Sequence, residues 1–289
     1  MKLSVIIPCF NASDTLAVQL EALAEQKWSE PWEVLLSDNG STDDSVAIAR
    51  QYENRLPNFQ IIDASEIRGP AYARNMGAKA AVGESLAFCD ADDVVAPGWV
   101  AAMGNALLKY DFVTCRFEAK KLSDPFALQA RMCPQEHGVQ TYDYPPFLPH
   151  AASAGLGVKR AIHETVGGFD ESMPMLEDTD YCWRIQLRGV KLHFVPDALV
   201  HYRFRSSKDK MCRQARLWGE YNVFLYKKYR LHGMPPLSKK QGIRKGMRLL
   251  RRFPSALRNG GEHLNRWHWD FAWFMGRVLG SLKYRVFAL

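Results

Sequence analysis

The chain of 289 residues has few cysteines, and none of them are paired in sequence. Cys9, Cys89, Cys115, Cys133, Cys182 and Cys212 are scattered with no C-x-x-C among them. That usage argues against a disulfide frame or a structural zinc site and fits a reduced, cytoplasmic protein. No run of about 18 apolar residues occurs, so a membrane-spanning helix is not expected. The segment Met1-Lys2-Leu3-Ser4 leads directly into an apolar stretch that ends at Pro8, with no small-residue cleavage site, and a secretory leader is not indicated. A G-x-G-x-x-G fingerprint after the first apolar run and a Walker A loop are also missing, which disfavours NAD enzymes and P-loop NTPases. Hydrophobic residues make up 47% of the chain, enough to exclude disorder, and the length fits one large domain or one domain with an extension.

Charge divides the chain. Residues 1–202 carry 17 Lys and Arg against 27 Asp and Glu, whereas residues 203–289 carry 21 against 4. The abrupt change suggests a main domain over residues 1–203 and a basic extension over 204–289 that meets an anionic partner.

Short apolar runs alternate with helical periodicity in the first hundred residues. Leu3–Ile7, Val34–Leu36, Phe59–Ile62 and Ser85–Phe88 read as strands. Leu16, Leu20 and Leu23 mark a helix with Asn11 or Ser13 as its cap, and Pro70 is placed to open another. Strands this short and apolar on both faces predict an α/β fold, a mostly parallel sheet flanked by helices. Ligands of such sheets sit beyond the carboxyl ends of the strands. Pro8-Cys9-Phe10-Asn11, Ser37-Asp38-Asn39-Gly40 and Cys89-Asp90-Ala91-Asp92-Asp93 should therefore share one edge. The two acidic clusters form a candidate site for a hard cation, Mg²⁺ or Mn²⁺, which prefers oxygen ligands. An alternative use for Asp92 or Asp93 is to cap the helix that opens near Pro97-Gly98-Trp99.

Six segments in order carry a family resemblance: Val5–Asn11, Ser37–Asp43, Arg68–Asn75, Phe88–Asp93, Gly167–Asp170 and Leu176–Arg184. Together they resemble family 2 glycosyltransferases of the GT-A fold over roughly residues 3–203. The resemblance implies a nucleotide-sugar donor and inverting displacement at the anomeric carbon. It also implies that Pro8 and Asn11 line the nucleotide pocket, that Asp38 and Arg68 approach the base, and that Asp90 holds the ribose or sugar. Asp92 would bind the metal, with His201 as a further contact to metal or diphosphate. The acceptor hydroxyl needs a carboxylate to take its proton; Asp178 is the candidate base, with Glu177 orienting it or the acceptor. Helix first-turn placement is the plain alternative for both acids. Arg74 and Asn75 should face the sheet edge or brace the acidic strand end rather than touch substrate, and Arg184 and Arg188 should be solvated. Residues 117–157 read as irregular structure on the acceptor side.

Processive synthases of this family carry Q-x-x-R-W and membrane spans. Gln214-Ala215-Arg216-Leu217-Trp218 only approaches that pattern, so a single addition is expected, to a glycan or lipid-linked acceptor. In the basic extension, Trp267, Phe271, Phe274, Val278 and Leu282 recur at helical spacing among Arg266, Arg277, Lys283 and Arg285. Such a stripe suits an anionic membrane surface, on the inner face, or packing on the main domain or a second subunit. Two competing classes are a sugar nucleotidyltransferase, whose basic phosphate loop after strand one is missing, and a non-enzymatic anion or nucleic-acid binder. No specific nucleic-acid module accompanies the tail.

Overall fold

The computed structural model describes residues 1–130, 132–142, 145–204 and 207–289. β1 (Leu3–Cys9) is followed by α1 (Leu16–Ala24), β2 (Trp32–Asp38), α2 (Ser45–Arg50), β3 (Gln60–Asp63), α3 (Pro70–Ala80) and β4 (Ser85–Phe88). Next come β5 (Val94–Val95), α4 (Trp99–Lys109), β6 (Phe112–Glu118), α5 (Pro125–Ala130), β7 (Leu156–Lys159), α6 (Arg160–Val166), α7 (Glu177–Gln186) and β8 (His193–His201). Helices α8 (Lys208–Tyr229), α9 (Lys239–Asn259) and α10 (Gly261–Lys283) follow. Two compact units result. The first comprises Met1–Leu122, Pro134–Gln140 and Pro149–Arg203; the second comprises Ser123–Cys133, Thr141–Leu148 and Phe204–Leu289.

The first unit holds one sheet of order β3-β2-β1-β4-β7-β6-β8-β5. Its left half is parallel, as runs buried on both faces require, while β7 runs antiparallel to both β4 and β6. Register decides which residues reach the ligand edge. Cys9 pairs with Asp38 and Asp38 with Asp63, while Ile6 pairs with Phe88, so the chain after β1, β2 and β4 emerges on one side. Pro70 does open α3. Gly77 lets this helix lie close on the sheet, since a Cβ there would come within 2.5 Å of both the Ile6 side chain and the Ser37 hydroxyl.

Several expectations are corrected. Residues 117–157 are not irregular throughout: β6 runs to Glu118, α5 spans Pro125–Ala130, and β7 begins at Leu156. The residue before α1 is Thr15, with no side-chain capping bond, and the Asn11 side chain is bonded to Thr42 in the loop after β2 instead. Gly98, in a left-handed conformation (φ 82°), precedes α4, so neither Asp92 nor Asp93 caps it. Arg184 is not solvated; it bonds Asp180 and the carbonyls of Val166 and Gly168, tying α7 to the end of α6.

In the second unit α8 and α10 cross closely. A Cβ at Gly276 would overlap the Arg216 carbonyl, and one at Gly219 would overlap that of Trp273. The aromatic stripe of α10 finds part of its cover on α9. Trp267, Phe271 and Phe274 pack with Leu249 and Ala256, and the Trp267 indole N–H donates to the Leu249 carbonyl at 3.0 Å. Among the described residues no helix is long and apolar enough to cross a membrane.

Replacing Gly77 by Ala should destabilise the protein by about 1–3 kcal/mol through overpacking against β1. A lower denaturant midpoint with an unchanged slope is the expected reading.

Candidate active site

The wall beside β1 and β2 is built from side chains that hold one another's loops. Asn11 adopts a left-handed conformation (φ 47°), and its carboxamide oxygen accepts from Thr42 N–H at 2.8 Å. Both Asp38 carboxylate oxygens accept from Ser41 N–H at 3.2 Å, which fixes a carboxylate at the strand end. Asn39 receives the Gly69 N–H and donates to the carbonyls of Ala64 and Ile67, binding the β2 turn to the segment before α3. Arg68 donates to the Asn39 carbonyl at 2.6 Å and lies 3.9 Å over the ring of Phe10, half of which is exposed. A flat, cationic platform thus stands beside Asp38, with Pro8 half-buried at the end of β1.

Beyond β4 the chain makes a tight acidic loop. Gln19, buried on α1, accepts from Val95 N–H and donates to the Asp90 carbonyl, and so fixes the loop from below. Arg203 holds it from the other side, its N–H donating to Asp93 at 2.7 Å and its guanidinium to the Asp92 carbonyl at 2.8 Å. Ligand oxygens of Asp90, Asp92 and Asp93 all lie within 4.8 Å of one another. Asp92 is exposed and Asp90 half-buried, whereas Asp93 is almost wholly buried, with Oδ2 lacking any hydrogen-bond partner. Burial, reinforced by the charges of Asp92 and Asp90, raises its pKa well above the usual carboxylate value. An orphaned carboxylate oxygen beside two further carboxylates is the donor set a hard divalent cation requires.

Arg74 on α3 joins this loop to the start of α7. Its guanidinium is buried and bonds Asp90 at 2.7 Å and Glu177 at 3.0 Å, with the Phe169 ring 5.6 Å from its centre. Glu177 is itself buried; desolvation and the neighbouring Asp178 push its carboxyl up to about 7 despite Arg74. Asp178 is half-buried, and desolvation raises its pKa too, opposed chiefly by the Thr179 N–H that donates to it at 2.7 Å. The two adjacent acids make different contacts: Glu177 bonds the Arg74 guanidinium, and Asp178 accepts from the Thr179 N–H. Asn75, one residue beyond Arg74, bonds Phe169 through both its amide groups and so anchors the Gly-Gly-Phe turn before α7.

Asp90 and Asp92 come together as the D-x-D triplet suggests, and Asp93 joins them. His201 stands outside that cluster. It pairs across strands with Val94, and its Nδ1 lies 3.0 Å from Glu118, an arrangement that leaves Nε2 for another partner. Gln19 and Glu118 escaped the sequence reading of the site, while Phe10 and Asp93 were placed on the ligand edge only as members of their segments. Gln19 had only one signal, a polar residue amid Leu16, Leu20 and Leu23.

Residues 4–167 match the family described as Glycosyl transferase family 2. Glycosyltransferase YibD of Escherichia coli (strain K12), described as uncharacterized, is 42% identical over 110 residues, which are 38% of this chain and 31% of that protein's length. The mannosyltransferase PcManGT from Pyrobaculum calidifontis, in complex with GDP-Man and Mn²⁺, superposes with a TM-score of 0.67 at 19% identity, covering 98% of this chain and 87% of that one. Residues 1–349 of TarS from S. aureus, in complex with UDP-GlcNAc, give 0.58 at 17% identity, covering 99% and 93%. At such identities the likeness is one of fold, a GT-A-like α/β sheet.

Replacing Arg74 by Met should cost about 3–5 kcal/mol of stability, because two carboxylates lose their buried counter-charge. They can neutralise only by taking up protons, so the loss should be largest above neutral pH and shrink as pH falls. Urea titrations at pH 8 and pH 5.5 would read both effects.

Proposed function

The chain belongs to glycosyl transferase family 2, and we propose that it moves one sugar from a nucleoside-diphosphate sugar to an acceptor hydroxyl by an inverting, metal-assisted single displacement. The observation that carries this reading is the Arg74 bridge. It ties the acid expected on the donor side, Asp90, to Glu177 on the acceptor side, the residue next to the expected base Asp178.

On this reading Phe10 and Arg68 form the face against which the base lies, and Asp38 accepts from its ring N–H, a contact uracil offers; a UDP-sugar is the favoured donor. Pro8 and Asn11 shape the same pocket. Asp90 positions the ribose or sugar. Asp92 and Asp93 would hold Mn²⁺ or Mg²⁺, which when bound neutralises the charge gathering on the departing diphosphate. His201, oriented by Glu118, would supply a further contact to the metal or diphosphate. Asp178 takes the acceptor proton as the acceptor oxygen bonds the anomeric carbon and the bond to the phosphate oxygen breaks on the opposite face, which inverts that centre. Glu177, locked by Arg74, keeps Asp178 aimed rather than reacting itself. The half-exposed position of Asp178 supports this division, since a base must be reachable by the acceptor. Donor nucleotides in the two related structures, GDP-Man and UDP-GlcNAc, support the substrate class. The acceptor is read as a glycan or lipid-linked hydroxyl.

Calorimetric titration of UDP, dTDP, GDP and CDP, with and without Mn²⁺, tests the donor side. One diphosphate should bind in a metal-dependent way, and Asp92→Ala should lose that binding; failure of every nucleotide to bind would overturn the proposal. Asp178→Asn should keep nucleotide affinity yet lose turnover by about 10²–10⁴-fold. A base must be deprotonated, and the pKa of Asp178 is raised. The acid limb of the wild-type rate profile should therefore lie above that of a free aspartate, with activity falling as pH drops through it.

A further inference from the structure

Helix α9 has an apolar face wider than the rest of its own unit covers. Gly242, Gly246, Leu249 and Ala256 are buried, and the two glycines sit directly against Leu289 and Phe274. At roughly 100° of turn per residue, the adjoining arc of the helix carries Ile243, Met247, Leu250 and Leu257. These four are 51%, 45%, 61% and 58% exposed, where a helix packed only within its fold would place polar side chains. The next arc carries Lys240, Arg244, Arg251 and Arg258, all exposed and with no acidic partner among the described residues. The helix contains no Asp or Glu at all.

We infer that α9 is an in-plane membrane helix whose exposed Ile243–Leu257 stripe inserts into the interfacial layer of an anionic phospholipid bilayer while its bordering cations meet the lipid phosphates. The charge pattern selects this occupant. A second copy of the chain would bring an equally cationic helix edge to the same stripe, and residues 203–289 carry 21 basic side chains against 4 acidic ones. A polyanion such as RNA would satisfy the cations and leave four large apolar side chains in water. Only an anionic lipid surface offers phosphate and hydrocarbon side by side. At about 1.5 Å per residue the helix runs roughly 30 Å along that surface. The surface assignment moves the interaction from α10, whose Trp267, Phe271 and Phe274 are engaged with α9, to α9 itself. It stands independently of the donor and acceptor proposed above.

The full chain should be tested by co-sedimentation with vesicles of phosphatidylcholine alone and of phosphatidylcholine with phosphatidylglycerol. Wild type should pellet with the anionic vesicles and stay in solution with the neutral ones. Leu250→Glu/Leu257→Glu, two exposed positions whose replacement leaves the buried face intact, should weaken binding at least tenfold, with an unchanged circular dichroism spectrum confirming the fold. Arg244→Glu/Arg251→Glu should weaken it too and reduce its salt dependence. Leu250→Trp should shift its emission to the blue on anionic vesicles, as insertion requires. Three results would each overturn the inference: wild type left in solution with anionic vesicles, the Leu-to-Glu variant pelleting like wild type, or a wild-type dimer without vesicles that the same variant dissociates.

Discussion

Arg74 carries a full charge almost wholly out of water, and that single constraint organises the site around it. A guanidinium buried this deeply needs carboxylates at hydrogen-bonding distance. Asp90 and Glu177 supply them from the loop after β4 and the first turn of α7. Neither acid can relocate without stranding the charge, so the acidic loop and the start of α7 are held in register. The same bridge separates two neighbouring acids: it hydrogen-bonds Glu177, whereas Asp178 feels Arg74 only through its charge.

The acidic loop is further pinned by Gln19 from beneath and by Arg203 from the side, both largely through backbone atoms of the loop. That mode of support leaves the carboxylate of Asp92 exposed and one oxygen of Asp93 without a partner. Burial of Asp93, and after it repulsion from Asp92 and Asp90, raises the Asp93 pKa and disfavours its charged form. Such strain is tolerated at binding sites, where a cation relieves it.

Much of the fold was legible. β4 spans the apolar run Ser85–Phe88, and Pro70 opens α3, because burial on both faces and a fixed φ leave local marks. Within 117–157, α5 was not legible because it makes under two turns and shows no period, and the start of β7 owes its place to antiparallel partners on either side. In the site, Asp90 and Asp92 were visible from their position after a strand. Gln19 and Glu118 were not, because each acts by pairing with a residue more than seventy positions away. Arg184 misled because on its own helix it reads as a surface cation, yet its carbonyl partners, Val166 and Gly168, lie at and just after the end of α6.

By itself the sequence determined the alternation of strands and helices up to β4, the carboxyl-edge location of the acidic clusters, and the concentration of positive charge after residue 202, since each follows from local periodicity or composition. Only the tertiary structure decided which acid pairs with Arg74, that Asp93 is buried with an unmet oxygen, and that α10 turns its aromatic stripe toward α9 and leaves the apolar arc of α9 uncovered. Those outcomes depend on contacts between segments far apart in the chain. Pairing, burial and exposure are set by which surfaces meet, and no local pattern of residues records that.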